Sequence, residues 1–329
     1  MQIDRYDFEL PDELIASRPV QPRDTSKLLI VNRKDQSISI HNFVEIIDHF
    51  NSNDLIIFNN TKVNPYLLNG LDSDGKLREF LLIQEFKGNK WSILTKKPKA
   101  SRIIFNDDIS ASMFKNDGDW FLQFDKNPSD YFKTDGFMPI PPYLNRKSDS
   151  RDKIDYQTIY AEVEGSIAAP TAGLHFSKEI FNKLSANIDF ITLHVGMGTF
   201  LPIKVQDVNS HQMHSEKFFM KQKLINKIDV TKKNNGKIIS VGTTSLRALE
   251  SSYNVPGACD KWSSTSLFIK EGFEFKVVDS LLTNFHLPKS TLLILVSAFA
   301  GYDLIMRAYK MAIENKFRFY SYGDAMLIL

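Results

Sequence analysis

Five of the chain's seven histidines fall in its second half, each within a short polar loop. Thr171-Ala-Gly-Leu-His175 and Asn284-Phe-His286-Leu-Pro-Lys289 each lead towards a helix start marked by Ser177 and Ser290. His194-Val-Gly196-Met-Gly198 puts an imidazole at a strand end, and His211-Gln-Met-His214-Ser-Glu216 sets two imidazoles near a carboxylate. Imidazole changes charge near neutral pH, so a histidine beside a carboxylate suits proton transfer, although a lone histidine is more often structural. A zinc half-site is the weakest reading of 211–216, because no third or fourth ligand with recognisable spacing follows. Each loop taken singly is as readily a capping loop as a ligand loop. A scaffold that needed only stability has little use for several of them in one half, so a shared pocket is inferred.

Val241-Gly-Thr-Thr-Ser-Leu-Arg247 reads as a strand, a Gly and hydroxyl loop, and a helix. Helix-start N–H groups with the Thr243, Thr244 and Ser245 hydroxyls, and Arg247 one turn in, make either an ordinary capped helix or a hold for a carboxylate or phosphate. The lysine of a P-loop is missing, so nucleoside triphosphate hydrolysis is not indicated. Gly196 and Gly198 form half of a dinucleotide fingerprint, but Pro202 and Val205 oppose the long helix that must follow. These glycines fit a tight turn or a close backbone approach to a ligand better.

Two segments are locally basic. Residues 87–102 carry Lys87, Lys90, Lys96, Lys97, Lys99 and Arg102 around Trp91, and residues 221–237 carry six lysines against Asp229. Such runs serve phosphate backbones or are solvated faces.

These groups must be held by a folded scaffold. The 329 residues carry 41 Lys and Arg against 39 Asp and Glu, a formal charge of +2, with 43% hydrophobic and 24% charged residues. That composition excludes disordered, collagen-like and disulfide-rich classes, and the length suits two domains. Cys259 has no partner for an internal disulfide. The N-terminus lacks the apolar core of a signal peptide, and the longest apolar run, Leu292–Ala300, is about half a membrane span. The expectation is a soluble, cytoplasmic monomer that uses no metal and no membrane.

Leu28–Val31 and Ser37–Ile40 read as a hairpin, Phe43, Ile46, Ile47 and Phe50 as one helical face, and Leu55–Phe58 as a strand. Between about Val63 and Phe132, short runs such as Phe80–Ile83, Trp91–Leu94, Ile103–Phe105 and Trp120–Phe124 alternate with turn clusters, which predicts a small all-β barrel or sandwich. Pro139-Ile-Pro-Pro142 marks the return to the first domain. Further on, a helix capped by Ser177, a strand Ile188–Val195, a basic helix from about Lys221 to Lys233, a strand Ile238–Val241, and helices at Thr291–Ala300 and Asp303–Asn315 argue for a layered α/β domain.

Taken in order, Ala169-Pro-Thr-Ala-Gly-Leu-His-Phe176, Thr192-Leu-His-Val-Gly-Met-Gly-Thr-Phe200, His211–Glu216, Val241–Arg247, Thr283–Thr291 and Phe319-Tyr-Ser-Tyr-Gly-Asp-Ala-Met326 closely resemble the S-adenosylmethionine:tRNA ribosyltransferase-isomerase family of queuosine biosynthesis. Tyr6–Pro11 and Arg18–Asp24 match too, so the resemblance runs almost end to end. It implies a large mixed α/β domain (1–62 and 138–329) interrupted by a small antiparallel β-barrel (63–137). It also implies transfer of the ribosyl part of S-adenosylmethionine to 7-aminomethyl-7-deazaguanine in the tRNA wobble position. The ribosyl group is then rearranged to the epoxycyclopentane of epoxyqueuosine, with release of adenine and methionine. The cosubstrate is consumed.

Such chemistry needs a base for the C5′–H beside the sulfonium, a proton donor or polar hold for departing adenine, and exclusion of water. His175, His194, His214 and His286 are the candidate proton handlers, with Glu216 or Asp324 as orienter or alternative base. Thr171, Gly173, Gly196, Gly198, Gly242, Thr243, Thr244, Ser245, Arg247, Lys289 and Tyr322 are candidate substrate contacts; Arg23, Lys96, Lys97, Lys99 and Arg102 are candidate tRNA contacts. The sequence departs from the family pattern at Lys62 and Leu67, where arginine is usual, and at Ser266, Lys270 and Glu271. Lys62 keeps the charge but loses a bidentate fork. Two rival readings are an S-adenosylmethionine-dependent RNA methyltransferase and a noncatalytic RNA-binding protein. The first predicts a Gly-rich loop after the first strand, which follows neither Leu28–Val31 nor Leu55–Phe58. The second makes the histidine loops expendable.

Overall fold

The computed structural model describes residues 2–184, 187–196, 203, 205–254 and 257–329, Asn254 by its backbone alone. The chain divides into two compact units, residues 1–62 with 142–145 and 157–329, and residues 63–141 with 146–156.

In the first unit the strands are β1 (Lys27–Val31), β2 (Ile38–Asn42), β3 (Leu55–Asn59) and β4 (Thr61–Val63, which ends in the second unit). In the second they are β5 (Leu67–Leu71), β6 (Leu77–Phe86), β7 (Lys90–Leu94), β8 (Ser101–Ile104), β9 (Ser110–Asn116) and β10 (Asp119–Phe124). The first unit resumes with β11 (Val163–Ser166), β12 (Ile188–Leu193), β13 (Glu216–Phe219), β14 (Ile238–Val241), β15 (Trp262–Thr265), β16 (Ser280–Asn284) and β17 (Ala325–Ile328). The helices are α1 (Ser129–Asp135), α2 (Asp152–Asp155), α3 (Lys178–Lys183), α4 (Gln222–Lys233), α5 (Thr243–Asn254), α6 (Thr291–Ala300) and α7 (Tyr302–Glu314).

The sheet of the first unit has the order β15-β13-β12-β3-β14-β16-β17-β1-β2. β12, β3, β14 and β16 run parallel, and β3, β14 and β16 are buried along their whole length. Burial on both faces explains why Leu55-Ile-Ile-Phe58 and Ile238-Ile-Ser-Val241 read as apolar runs without alternation. Two apolar layers flank the sheet: one includes Leu29, Ile57, Leu246, Leu281 and α6, the other Phe43, Phe58, Phe176 and Val241. The helix expected at Phe43–Phe50 is a 3₁₀ helix, Phe43–His49, held by a capping box between Asn42 and Glu45. Phe43 and Ile46 stack on one side at the spacing of three that a 3₁₀ turn eclipses. Ser177 caps α3 by accepting from Ile180 N, and Ser290 caps α6 by accepting from Leu293 N. The strand expected to reach Val195 stops at Leu193, and Val195 instead bridges to Ala168.

The second unit contains a closed antiparallel barrel of six strands, β10-β7-β6-β5-β8-β9, so the fold is the expected mixed α/β sheet plus a small barrel. Closure removes the exposed strand edges. Leu68, Phe80, Leu82, Ile93, Ile103, Met113 and Leu122 fill its interior. The β9–β10 hairpin turns at Asp117 (φ 48°) and Gly118 (φ 93°), the left-handed pair a type I′ turn requires. This unit also takes in 138–141 and 146–156, which the sequence had assigned to the first domain. Lys153 Nζ ties that second stretch to the carbonyls of Lys133 and Thr134. Among the described residues no single helix is long and apolar enough to cross a membrane.

Candidate active site

Because β12, β3, β14 and β16 are parallel, their carboxyl ends emerge on one edge of the sheet, where open α/β sheets bind ligands. A cleft opens there. Its walls are Val195 beyond β12, Gly242–Thr244 beyond β14, Thr283–Leu287 at the end of β16, and the segment Ala168–Ala172. Tyr143, Ser290, Leu292, Tyr320 and Ser321 complete it. At the end of β3, Asn59 Nδ2 donates to the Leu193 carbonyl at 2.9 Å and approaches Thr244 Oγ1 at 3.4 Å, tying three strand ends together.

The Gly242 turn has φ 90°, a backbone state that residues with a Cβ rarely take, and its N–H donates to the Leu282 carbonyl. This turn brings the first residues of α5, Thr243 and Thr244, to the cleft wall, where first-turn N–H groups have no intrahelical acceptor. Ser245 faces the other way: its hydroxyl donates back to the Val241 carbonyl. Arg247 also differs from expectation. Its guanidinium does not line the cleft; Nη1 pairs with the Glu216 carboxylate and Nε donates to the Leu267 carbonyl at 3.1 Å. Both side chains are 5% exposed, and Glu216 also accepts from Gly196 N at 3.0 Å. Arg247 thus meets a protein carboxylate rather than a ligand anion, and Glu216 orients a cation and a loop N–H rather than a histidine.

The histidine loops do not bring their rings to one place. His286 lines the cleft, with Nε2 2.9 Å from Thr283 Oγ1 and its backbone N–H donating to the Tyr309 hydroxyl. Burial pushes its pKa down to about 3, although the residue as a whole is half-buried rather than fully buried. His175 sits behind the cleft wall, stacked on Phe43. Asn284 Nδ2 donates to its Nε2 at 3.1 Å, and Nδ1 lies 2.8 Å from Ser26 Oγ. Asn284 is oriented by the Thr171 hydroxyl, which donates to Oδ1 at 2.9 Å. His175 Nε2 is therefore an acceptor and Nδ1 carries the proton, so the ring is neutral and positions a cleft residue without facing the cleft. His194 precedes Val195 in an extended segment, and alternation turns its ring to the opposite face, where it stacks on Trp262. His214 is exposed, outside the cleft lining.

Desolvation, then the nearby Arg318 and Arg23 charges, lower the His175 pKa to about 3. The folded value lies below the unfolded value of about 6.5, so the unfolded chain binds the extra proton. The resulting stability is complete above about pH 6.5 and is lost as pH falls towards 3, at about 1.4 kcal/mol per pH unit. Urea unfolding of wild type and His175→Gln at pH 7 and 5 measures this. The variant should lose about 2 kcal/mol less on acidification, and equal losses rule the role out.

Four further candidates have structural partners. The Asp324 carboxylate accepts from Lys27 N at 3.0 Å and Arg318 N at 2.7 Å, bracing the start of β1, and lies outside the cleft lining. Burial raises its pKa. Lys289 reaches Asp4 at 2.9 Å and Asp7 at 2.8 Å, which raise its pKa and fix the N-terminal segment in place of a substrate carboxylate or tRNA phosphate. Tyr322 is buried, its carbonyl accepting from Arg318. Gly173 is packed shut, for an added Cβ comes within 1.8 Å of the Tyr160 hydroxyl. Gly173→Ala should therefore cost about 1–3 kcal/mol in urea unfolding through overpacking; an unchanged midpoint defeats that account. Gly198 lies outside the described residues.

Of the expected tRNA contacts, Arg102 is paired with Asp125 and Ser110, and Arg23 donates to the Gln157 carbonyl. Lys96 and Lys97 offer their carbonyls to Arg78, and the Lys99 ammonium lies 3.7 Å from Asp74. The sequence reading missed Tyr143, Tyr320 and Asn59. Tyr320 holds φ 70°, rare for a bulky residue, and packs on Tyr143, whose hydroxyl is bonded to Ser321. No spacing signal marks either tyrosine, whereas Asn59 could be found as a polar residue ending an apolar strand.

The profile of the queuosine biosynthesis protein family matches residues 3–328. S-adenosylmethionine:tRNA ribosyltransferase-isomerases from a Sulfurihydrogenibium species and from Francisella philomiragia are each 44% identical to this chain, with 100% of both chains covered in each case. The crystal structure of the S-adenosylmethionine tRNA ribosyltransferase from Thermotoga maritima superposes with a TM-score of 0.56 at 33% identity, covering 99% of this chain and 100% of that one. With a family profile spanning nearly every residue and full-length relatives at this identity, the chain belongs to the queuosine biosynthesis protein family.

Proposed function

We propose that this chain is an S-adenosylmethionine:tRNA ribosyltransferase-isomerase. It moves the ribosyl part of S-adenosylmethionine to 7-aminomethyl-7-deazaguanine in the tRNA wobble position, forms epoxyqueuosine there, and releases adenine and methionine. The observation that carries this reading is one cleft at the carboxyl ends of the parallel strands, walled by the 168–172, 242–244, 283–287 and 320–321 segments. Those segments belong to the motifs that resemble the family. The full-length relatives are named S-adenosylmethionine:tRNA ribosyltransferase-isomerases, which supports the two substrates of the reading.

S-adenosylmethionine lies in this cleft with its methionine carboxylate at the start of α5, near Gly242, Thr243 and Thr244, where the helix dipole and free N–H groups favour an anion. His286, neutral at physiological pH, accepts the C5′ proton acidified by the sulfonium. Thr171, Asn284 and His175 keep the facing wall in one hydrogen-bonded arrangement. Lys96, Lys97 and Lys99 meet tRNA phosphates as point charges. A discontinuous α/β domain around an inserted barrel belongs to the same proposal, as do a cytoplasmic location, a monomeric state and independence of membranes.

The test is incubation with S-adenosylmethionine and tRNA carrying 7-aminomethyl-7-deazaguanine. Adenine and methionine in equal amounts support the reading; S-adenosylhomocysteine points to methyl transfer, and tRNA retention without product points to a binding protein.

A further inference from the structure

On the sheet face opposite Val195, the three strands that end the sheet carry an aromatic and basic surface the reaction does not use. The register pairs Phe219 with Trp262 and Lys217 with Ser264, so these four side chains share one face of β13 and β15. His194 N donates to the Lys217 carbonyl, which extends the face to β12. The Trp262 indole stacks on the His194 ring, with centroids 4.7 Å apart and planes 23° apart. Thr61 Oγ1 holds that ring at 2.8 Å, and Gly165 packs so close to it that an added Cβ falls 2.7 Å from Nε2. The imidazole is thus a fixed backing plate. Desolvation, with the Lys217 charge, lowers its pKa to about 4, so it adds no charge at neutral pH.

Trp262 itself remains 47% exposed, whereas Trp91 is 4% exposed inside the barrel. It borders a shallow open site with Lys217, Ser263 and Ser264. Among the described residues β15 is the edge strand of the sheet, with no strand paired beyond it. The indole therefore offers one open face to solvent while His194 covers the other. An aromatic side chain on an open strand face, with the Lys217 ammonium beside it and the Ser264 hydroxyl on the same face, matches the chemistry of an unpaired nucleobase and its phosphate.

We propose that Trp262, backed by His194 and flanked by Lys217, is a stacking site for an unpaired base of the RNA substrate. The proposal rests on the reading that tRNA is that substrate. Trp262 is a binding residue that sets RNA affinity, and S-adenosylmethionine binds independently of it.

The experiment titrates the full chain with an anticodon stem-loop RNA in fluorescence and filter-binding assays that need no turnover. Trp262→Ala should weaken RNA binding by about 5- to 100-fold and Trp262→Phe should recover most of it. The fluorescence quench on adding RNA should vanish in Trp262→Phe. Lys217→Ala should lower the slope of log affinity against log salt by about 0.7. In turnover, Trp262→Ala should raise the KM for tRNA by a like factor and leave that for S-adenosylmethionine unchanged. RNA affinity of Trp262→Ala within about twofold of wild type overturns the proposal, as does a phenylalanine variant as weak as alanine. Failure of wild type to release adenine while still binding RNA through Trp262 overturns the reaction instead.

Discussion

Glu216→Ala is expected to lower the stability of the first unit by about 3–5 kcal/mol, read as a shift in the urea unfolding midpoint. The carboxylate accepts from Arg247 Nη1 and from Gly196 N, and both charged side chains are almost wholly buried. Taking away the carboxylate strands a guanidinium whose Nη2 already lacks an acceptor, so two of its nitrogens face an apolar interior. An uncompensated buried charge costs far more than the net worth of the pair. For the same reason the double variant Glu216→Leu with Arg247→Met should regain most of the loss, since well-packed apolar residues replace buried ion pairs at little cost. Single variants that cost under about 1 kcal/mol would show that water reaches the pair and that it acts as a surface contact.

His286→Ala should lower the rate of adenine release by about 10²- to 10⁴-fold at saturating S-adenosylmethionine and tRNA, the usual contribution of a positioned acid or base. Among the described residues it is the imidazole that lines the cleft, and Thr283 fixes its orientation from the same strand end. Burial lowers its pKa to about 3, so the ring is neutral at physiological pH and a weak base in the resting site, and the limb of the pH–rate profile below neutrality should belong to another group. Loss of rate with an unchanged KM for S-adenosylmethionine separates proton transfer from binding. A variant slowed less than about tenfold would remove His286 from the proton-transfer step.

The architecture was largely legible in the sequence because its signals are local. Runs such as Leu55–Phe58 and Ile238–Val241 are apolar throughout because both faces are covered, and the Asp117-Gly118 turn announces its hairpin by chemistry alone. The site was legible as a set of loops and not as a set of side-chain directions. Adjacent residues His194 and Val195 point to opposite faces, so a motif that reaches the cleft does not bring all its residues there. Arg247 and Lys289 carried the right charge for a ligand, but their carboxylate partners come from 31 and from at least 282 residues away in the chain. Spacing cannot reveal pairings set by tertiary folding. Tyr143 and Tyr320 were missed for the same reason, since only packing makes them a wall.

β17 is the strand through which β1 and β2 reach the rest of the sheet. It lies between β16 and β1, pairing with β16 antiparallel and with β1 in parallel. Without Ala325–Ile328 the hairpin of β1 and β2 would lose the edge it pairs with, and the cleft-lining Tyr320 and Ser321 would lose the strand that follows them. Because β1 and β17 lie far apart in the sequence, this junction closes by a non-local parallel pairing, a kind of contact that forms more slowly than local ones.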